Sequence, residues 1–118
     1  MADTQRKRVL QDLVMRRRPV SEALLRLETF PWDSETELVT LTRADALRLL
    51  DEYLRGELTS DSCEEWADAI EVRDDIGMEE GFDDLLKSFI FELANPAINE
   101  RLTQSKAEQW KGRLAQGA

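Results

Sequence analysis

The chain has 118 residues, 42% of them hydrophobic, with 25 acidic side chains against 16 basic ones and a formal net charge of −9. That length suits one compact domain, and five glycines, three prolines and few β-branched residues favour helices over a sandwich or barrel. The absence of histidine removes the commonest general base and metal ligand, and a single cysteine excludes an internal disulfide.

The expectation is a single all-α domain over 1–118, a compact bundle of about five or six short helices with one short extended segment. No run of about eighteen apolar residues is present, and no apolar stretch follows MADTQRKRV. Neither a spanning helix, a membrane partner nor a secretory signal is expected, and the expected location is the cytoplasm.

Residues 1–18 carry Arg6, Lys7, Arg8, Arg16, Arg17 and Arg18 against Asp3 and Asp12. A first helix from about Thr4 to Arg17 aligns Leu10, Leu13 and Val14 and stops before Pro19, which disfavours helix in the residue preceding it. Such a basic N-terminal helix or arm can contact phosphates, fold back on an acidic face of its own protein, or simply be solvated. With so acidic a remainder, the structural readings are preferred and nucleic acid is not the expected partner.

Later helix starts share one device, an apolar residue, a hydroxyl cap and a second apolar residue four positions on. It occurs at Val20-Ser21 with Leu25, Leu41-Thr42 with Ala46, Leu58-Thr59 with Cys63, and Leu102-Thr103 with Ala107. Between the first two, FPWDSETELVTLT reads as a connector with an extended piece near Leu38 to Leu41, too brief to establish a sheet. The third helix, Arg43 to Arg55, ends at Gly56, a natural left-handed C-cap.

From Ser60 to about Arg73, Cys63, Trp66, Ala67 and Ile70 share one stripe, which leaves Asp61, Glu64, Asp68, Glu71 and Asp75 on the opposite face. IGMEEG then reads as a loop. Phe82, Leu85, Leu86, Phe89, Ile90 and Leu93 mark a helix that Asn95-Pro96 stops, and Ala107, Trp110 and Leu114 mark the last one. The expected core is Trp66, Ile70, Leu85, Leu86, Phe89, Ile90 and Trp110.

The stretch EEWADAIEVRDDIGMEEGFDDLL holds ten carboxylates and one arginine. Glu64 with Asp68, Asp68 with Glu71, and Glu71 with Asp75 are like-charged helical neighbours, each costing about 0.2–0.5 kcal/mol. A face kept only for solubility more commonly interleaves lysines, so Glu64, Asp68, Glu71, Asp74, Asp75, Glu79 and Glu80 are the candidate surface for a basic protein partner. The bland alternative is a solvated acidic face.

No catalytic residue, cofactor or metal ligand is expected. RDDIGMEEGFDD lacks the alternating ligand spacing and terminal glutamate of an EF-hand loop, and Cys63 has no base to activate it and falls on a buried stripe. Trp66 and Trp110 lie on apolar stripes, which leaves Trp32 as the tryptophan placed for exposure.

The segment GELTSDSCEEWADAIEVRDDIG and the later IFELANP, in a short all-helical chain, resemble small acidic bacterial immunity proteins of toxin systems, the colicin-like immunity group, over about residues 38 to 115. The resemblance implies a non-enzymatic inhibitor whose acidic helical face covers the substrate-binding surface of a cationic nuclease toxin. It carries no residue-by-residue correspondence, and the basic N-terminal segment departs from the group. Two other classes stand beside it: a nucleic-acid-associated regulator using residues 1–18, and a structural or adaptor protein that forms homo-oligomers through exposed apolar positions such as Trp32 or Phe91.

Overall fold

The computed structural model describes residues 2–30 and 37–116, with side chains from residue 4 onward. Along them run α1 (Ala2–Met15), α2 (Val20–Leu27), β1 (Val39–Leu41), α3 (Arg43–Leu54) and α4 (Ser60–Glu71). Then follow β2 (Ile76–Met78), α5 (Asp83–Ala94), α6 (Pro96–Asn99) and α7 (Gln104–Gln116). Seven helices are thus present among the described residues, α6 being a single turn that starts at Pro96 where a fixed φ and a missing N–H suit the first helical position. The chain is a mostly helical bundle, and its Cα radius of gyration of 13.9 Å is close to the roughly 13 Å of a compact domain of this size.

The apolar stripes explain which helices meet. α4 packs against α5, α3 against α7, and α1 against α2. Cys63, Trp66, Ala67 and Ile70 of α4 are all buried against Leu86, Phe89, Ile90 and Leu93 of α5. Phe89 stands edge-on to two rings, Trp66 at 6.5 Å and Trp110 at 5.3 Å between centroids, an arrangement favoured by the ring quadrupoles. The remaining expected core residue, Leu85, is only partly buried, at the edge of this cluster.

Three of the four proposed helix starts hold. Thr42 accepts from the Asp45 backbone N–H while the Asp45 carboxylate accepts from that of Thr42, a reciprocal capping box. Thr59 accepts from Ser62 N at 3.0 Å, and Thr103 Oγ1 accepts from Lys106 N at 3.2 Å. Ser21 is not a cap: α2 begins at Val20 with Pro19 as its N-cap residue, Ala23 N donates to Pro19 O, and Leu25 is 65% exposed, so no staple forms. At the other end of α3, Gly56 takes φ +82°, the left-handed conformation anticipated for it.

Residues 1–18 do not form a detached arm. Val9, Leu10, Leu13 and Val14 of α1 enter the common core, and the Trp66 indole N–H donates to Leu13 O at 3.1 Å and to Val14 O at 3.3 Å. These carbonyls belong to the last turn of α1, where helical donors run out; Leu13 O also accepts from Arg16 N at 3.2 Å, and the indole adds a donor to both. Trp32 lies outside the described residues.

The extended segment near Leu38 does pair, and IGMEEG is only partly a loop. Its first three residues are β2, which runs parallel to β1 with Val39 opposite Ile76, Thr40 opposite Gly77 and Leu41 opposite Met78. A parallel pair needs a long crossover, and α3 and α4 provide it. The Asp75 carbonyl accepts from Leu38 N at 2.8 Å, and Glu79 N donates to Leu41 O at 2.9 Å, which extends the ladder at both ends. No helix among the described residues is long and apolar enough to cross a membrane.

Candidate binding site

The seven candidate carboxylates separate into two groups. Asp68 and Glu71, on α4, and Asp74, in the turn after it, are exposed; Glu64 is half-buried; Glu80 is exposed in the turn after β2. Among the described residues, no ion pair reaches any of these five. The exposed three form an acidic crest where α4 ends, with Val72, 58% exposed, standing among them.

Asp75 and Glu79 do not belong to that crest. The expectation extended the α4 face to Asp75 by helical spacing, but α4 ends at Glu71 and the turn directs Asp75 inward, where it is 1% exposed. Arg73 donates from Nε to Asp75 Oδ1 and from Nη2 to Oδ2, both at 2.9 Å. Arg6, from α1, donates from Nε to Oδ2 at 3.0 Å and brings Nη2 within 2.8 Å of the same oxygen. The second of these contacts is an ion pair without hydrogen-bond geometry, and Arg6 Nη2 is otherwise unsatisfied. Burial pushes the Asp75 carboxyl upward, but the hydrogen bonds and charges of Arg73 and Arg6 outweigh it and hold the group below the usual carboxylate range.

Glu79 clamps the start of α3 instead of facing a partner. Its carboxylate accepts from Arg43 backbone N at 2.9 Å, Nε at 3.2 Å and Nη2 at 3.0 Å, and these bonds lower its pKa. An anion at a helix N-terminus is favoured by the dipole as well as by the free N–H groups. The Arg43 guanidinium also lies 3.6 Å from the centre of the Phe82 ring.

Half of the six basic side chains of the N-terminal segment, Arg6, Arg16 and Arg18, are similarly engaged. Arg16 pairs with Glu52 of α3, and Arg18 donates to Asp12 at 2.7 Å and to Glu22 at 3.0 Å. Lys7, Arg8 and Arg17 are exposed, Arg17 at 4.0 Å from Asp12. The fold-back reading of these arginines is the one the geometry follows.

Two grooves flank the crest, the first mainly apolar and the second apolar within a charged rim. One, of about 440 Å³, opens between α2 and α4 beside Leu24, Phe30, Asp68 and Val72. The other, of about 430 Å³, opens between β2 and α5 with Ile70, Ile76 and Ile90 as its floor and Met78 and Phe91 as its walls. Glu71 and Asp74 stand on the rim of the second groove. Asn95 ties this rim together, its side-chain amide donating to Glu71 Oε2 at 3.1 Å and to Phe91 O at 2.8 Å. Sequence periodicity misses these grooves because the relative placement of the elements that line them is set by packing; the one local signal is Val72 and Phe91, exposed apolar residues off the buried stripes of α4 and α5.

The burial of Cys63 pushes its thiol up to about 11, so the thiolate needed for nucleophilic chemistry is scarce at neutral pH. Among the described residues, no three His, Cys, Asp or Glu side chains are grouped as a metal ion would require. The arrangement offers charge and apolar surface for recognition. No protein-family model, curated protein or solved structure matches the chain.

Proposed function

We propose that the chain is a non-enzymatic binding protein whose acidic crest covers a basic partner, in the manner of an immunity protein that occludes a nuclease-type toxin. The supporting observation is the cluster of Asp68, Glu71 and Asp74, which no ion pair reaches among the described residues, in a protein that engages Arg6, Arg16, Arg18 and Arg43 in internal ion pairs. A nuclease concentrates Lys and Arg where phosphates bind, so an acidic crest steers association and blocks that surface without chemistry. The site consists of Asp68, Glu71 and Asp74, with Glu64 one turn before Asp68 on α4; Glu80 lies past the opposite end of β2, and Asp75 and Glu79 act within the fold.

The test is protection. The chain is co-expressed with any cationic nuclease encoded by the adjacent gene, and growth and association rate are measured. D68N/E71Q should slow association and flatten its salt dependence; a wild-type rate and slope would show that the crest is only a solvated face. Self-association is a second reading, favoured by Phe91 and Ile98, 48% and 73% exposed, and sedimentation equilibrium tests it.

A further inference from the structure

The acidic crest explains how a basic partner is attracted, but charge alone gives little register, because solvated ion pairs contribute weakly and are screened by salt. The groove between β2 and α5 supplies what the crest lacks. Its floor of Ile70, Ile76 and Ile90 belongs to the core, while Phe91 is 48% exposed at its side. Met78, half-buried, forms another part of the wall, and its flexible thioether makes an adaptable apolar contact.

The charge around this groove is one-sided. Among the described residues, Glu37, Glu71 and Asp74 line it against Arg73 and Lys87, and Arg73 is held inward on the buried Asp75, so the carboxylates dominate its outer rim. The Asn95 amide holds the Glu71 carboxylate beside the Phe91 backbone, so one acid is positioned at the apolar wall before any partner arrives.

We infer that this groove is the anchor point of the same interface: it accepts a large aliphatic or aromatic side chain from a basic segment of the partner, whose neighbouring Lys or Arg side chains meet Glu71 and Asp74. This rests on the reading of the crest as a surface for a basic partner and adds where that partner is gripped. Interfaces of this kind draw most of their affinity from a few apolar anchors in desolvated pockets, with the surrounding charges setting rate and orientation. The wall and the rim therefore have separable effects.

The experiment uses the full chain and two short lysine-rich peptides of equal charge, one with two leucines a helical turn apart and the other with serines in their place. Binding is measured at low ionic strength, with methyl NMR of Met78, Ile76 and Ile90 as the local readout. The leucine peptide should bind about tenfold tighter and shift the Met78 methyl. F91S, at a half-exposed position and checked for an unchanged melt, should erase that preference while leaving both peptides bound. E71Q should weaken both peptides.

Equal affinity of the two peptides for the wild-type chain would overturn the anchor and leave the acidic crest standing. Failure of both to bind would overturn the crest and the anchor together. A dimer that F91S dissociates would assign the groove to a second copy of this chain, and a nuclear Overhauser contact between Trp32 and the Met78 methyl would assign it to the chain's own connector. Either result overturns the proposal.

Discussion

Arg6, Arg16 and Arg18, from the N-terminal segment, each reach a carboxylate, while Asp68, Glu71 and Asp74, at the end of α4, reach no cation among the described residues. In the sequence these are matching opposites, six bases near the start and a run of acids past the middle. The fold uses Arg6, Arg16 and Arg18 of the first set as internal ties and presents Asp68, Glu71 and Asp74 of the second to solvent. The difference follows from packing: α1 must bury Leu10 and Leu13, which carries Arg6 below the surface and Arg16, just past the helix, to its edge, where a desolvated guanidinium has to find a carboxylate. Asp68 and Glu71 occupy the side of α4 that stays exposed among the described residues.

The contrast is broken most severely at Asp75. D75N would leave Arg6 buried without its counter-charge, and equilibrium urea denaturation should show a loss of about 3–5 kcal/mol. F89A, which removes the ring between Trp66 and Trp110, should cost about 3–5 kcal/mol by burial lost and cavity left, so a single ion-paired carboxylate and a central core ring are predicted to matter equally. A D75N protein that melts like wild type would mean that the arginine ties contribute nothing.

Acid should act on the same tie. The folded Asp75 pKa lies below the unfolded value, so its contribution is complete above the unfolded pKa of about 4 and is lost as pH falls from there through the folded value. Stability measured from neutral pH downward should therefore change little through this group until about pH 4–5, then fall, and D75N should flatten that fall.

The Glu79 clamp on α3 is less buried, and E79Q should cost about 1 kcal/mol by weakening the bonds to Arg43, read as a shift in the denaturation midpoint. The smallest effect on folding belongs to the crest. D68N/E71Q should leave stability unchanged or raise it by about 0.2–0.5 kcal/mol, because each removes a like-charged helical neighbour. A substantial destabilisation there would place those acids among the structural ones and erase the distinction between the two regions.

Much of the fold is a local property of the chain. The stripe Cys63, Trp66, Ala67 and Ile70, the caps at Thr42, Thr59 and Thr103 and the stops at Gly56 and Pro96 are set by residue spacing of 3.6 per turn, by hydroxyls that satisfy free N–H groups and by the special backbones of glycine and proline. Those features depend on neighbours within a turn or two, and they are legible without a tertiary structure. Asp75 shows where that legibility ends. Helical spacing carries it onto the outward face, but its role depends on Arg6, 69 positions away, and on where the turn after α4 bends. The pairing of β1 with β2, the seating of Arg43 on Glu79 and the grooves beside the crest are decided in the same way, by elements that meet only in three dimensions. A carboxylate has the same letter whether it faces water or a buried arginine; only packing, which sets its desolvation and its partners, distinguishes the binding surface from the internal ties.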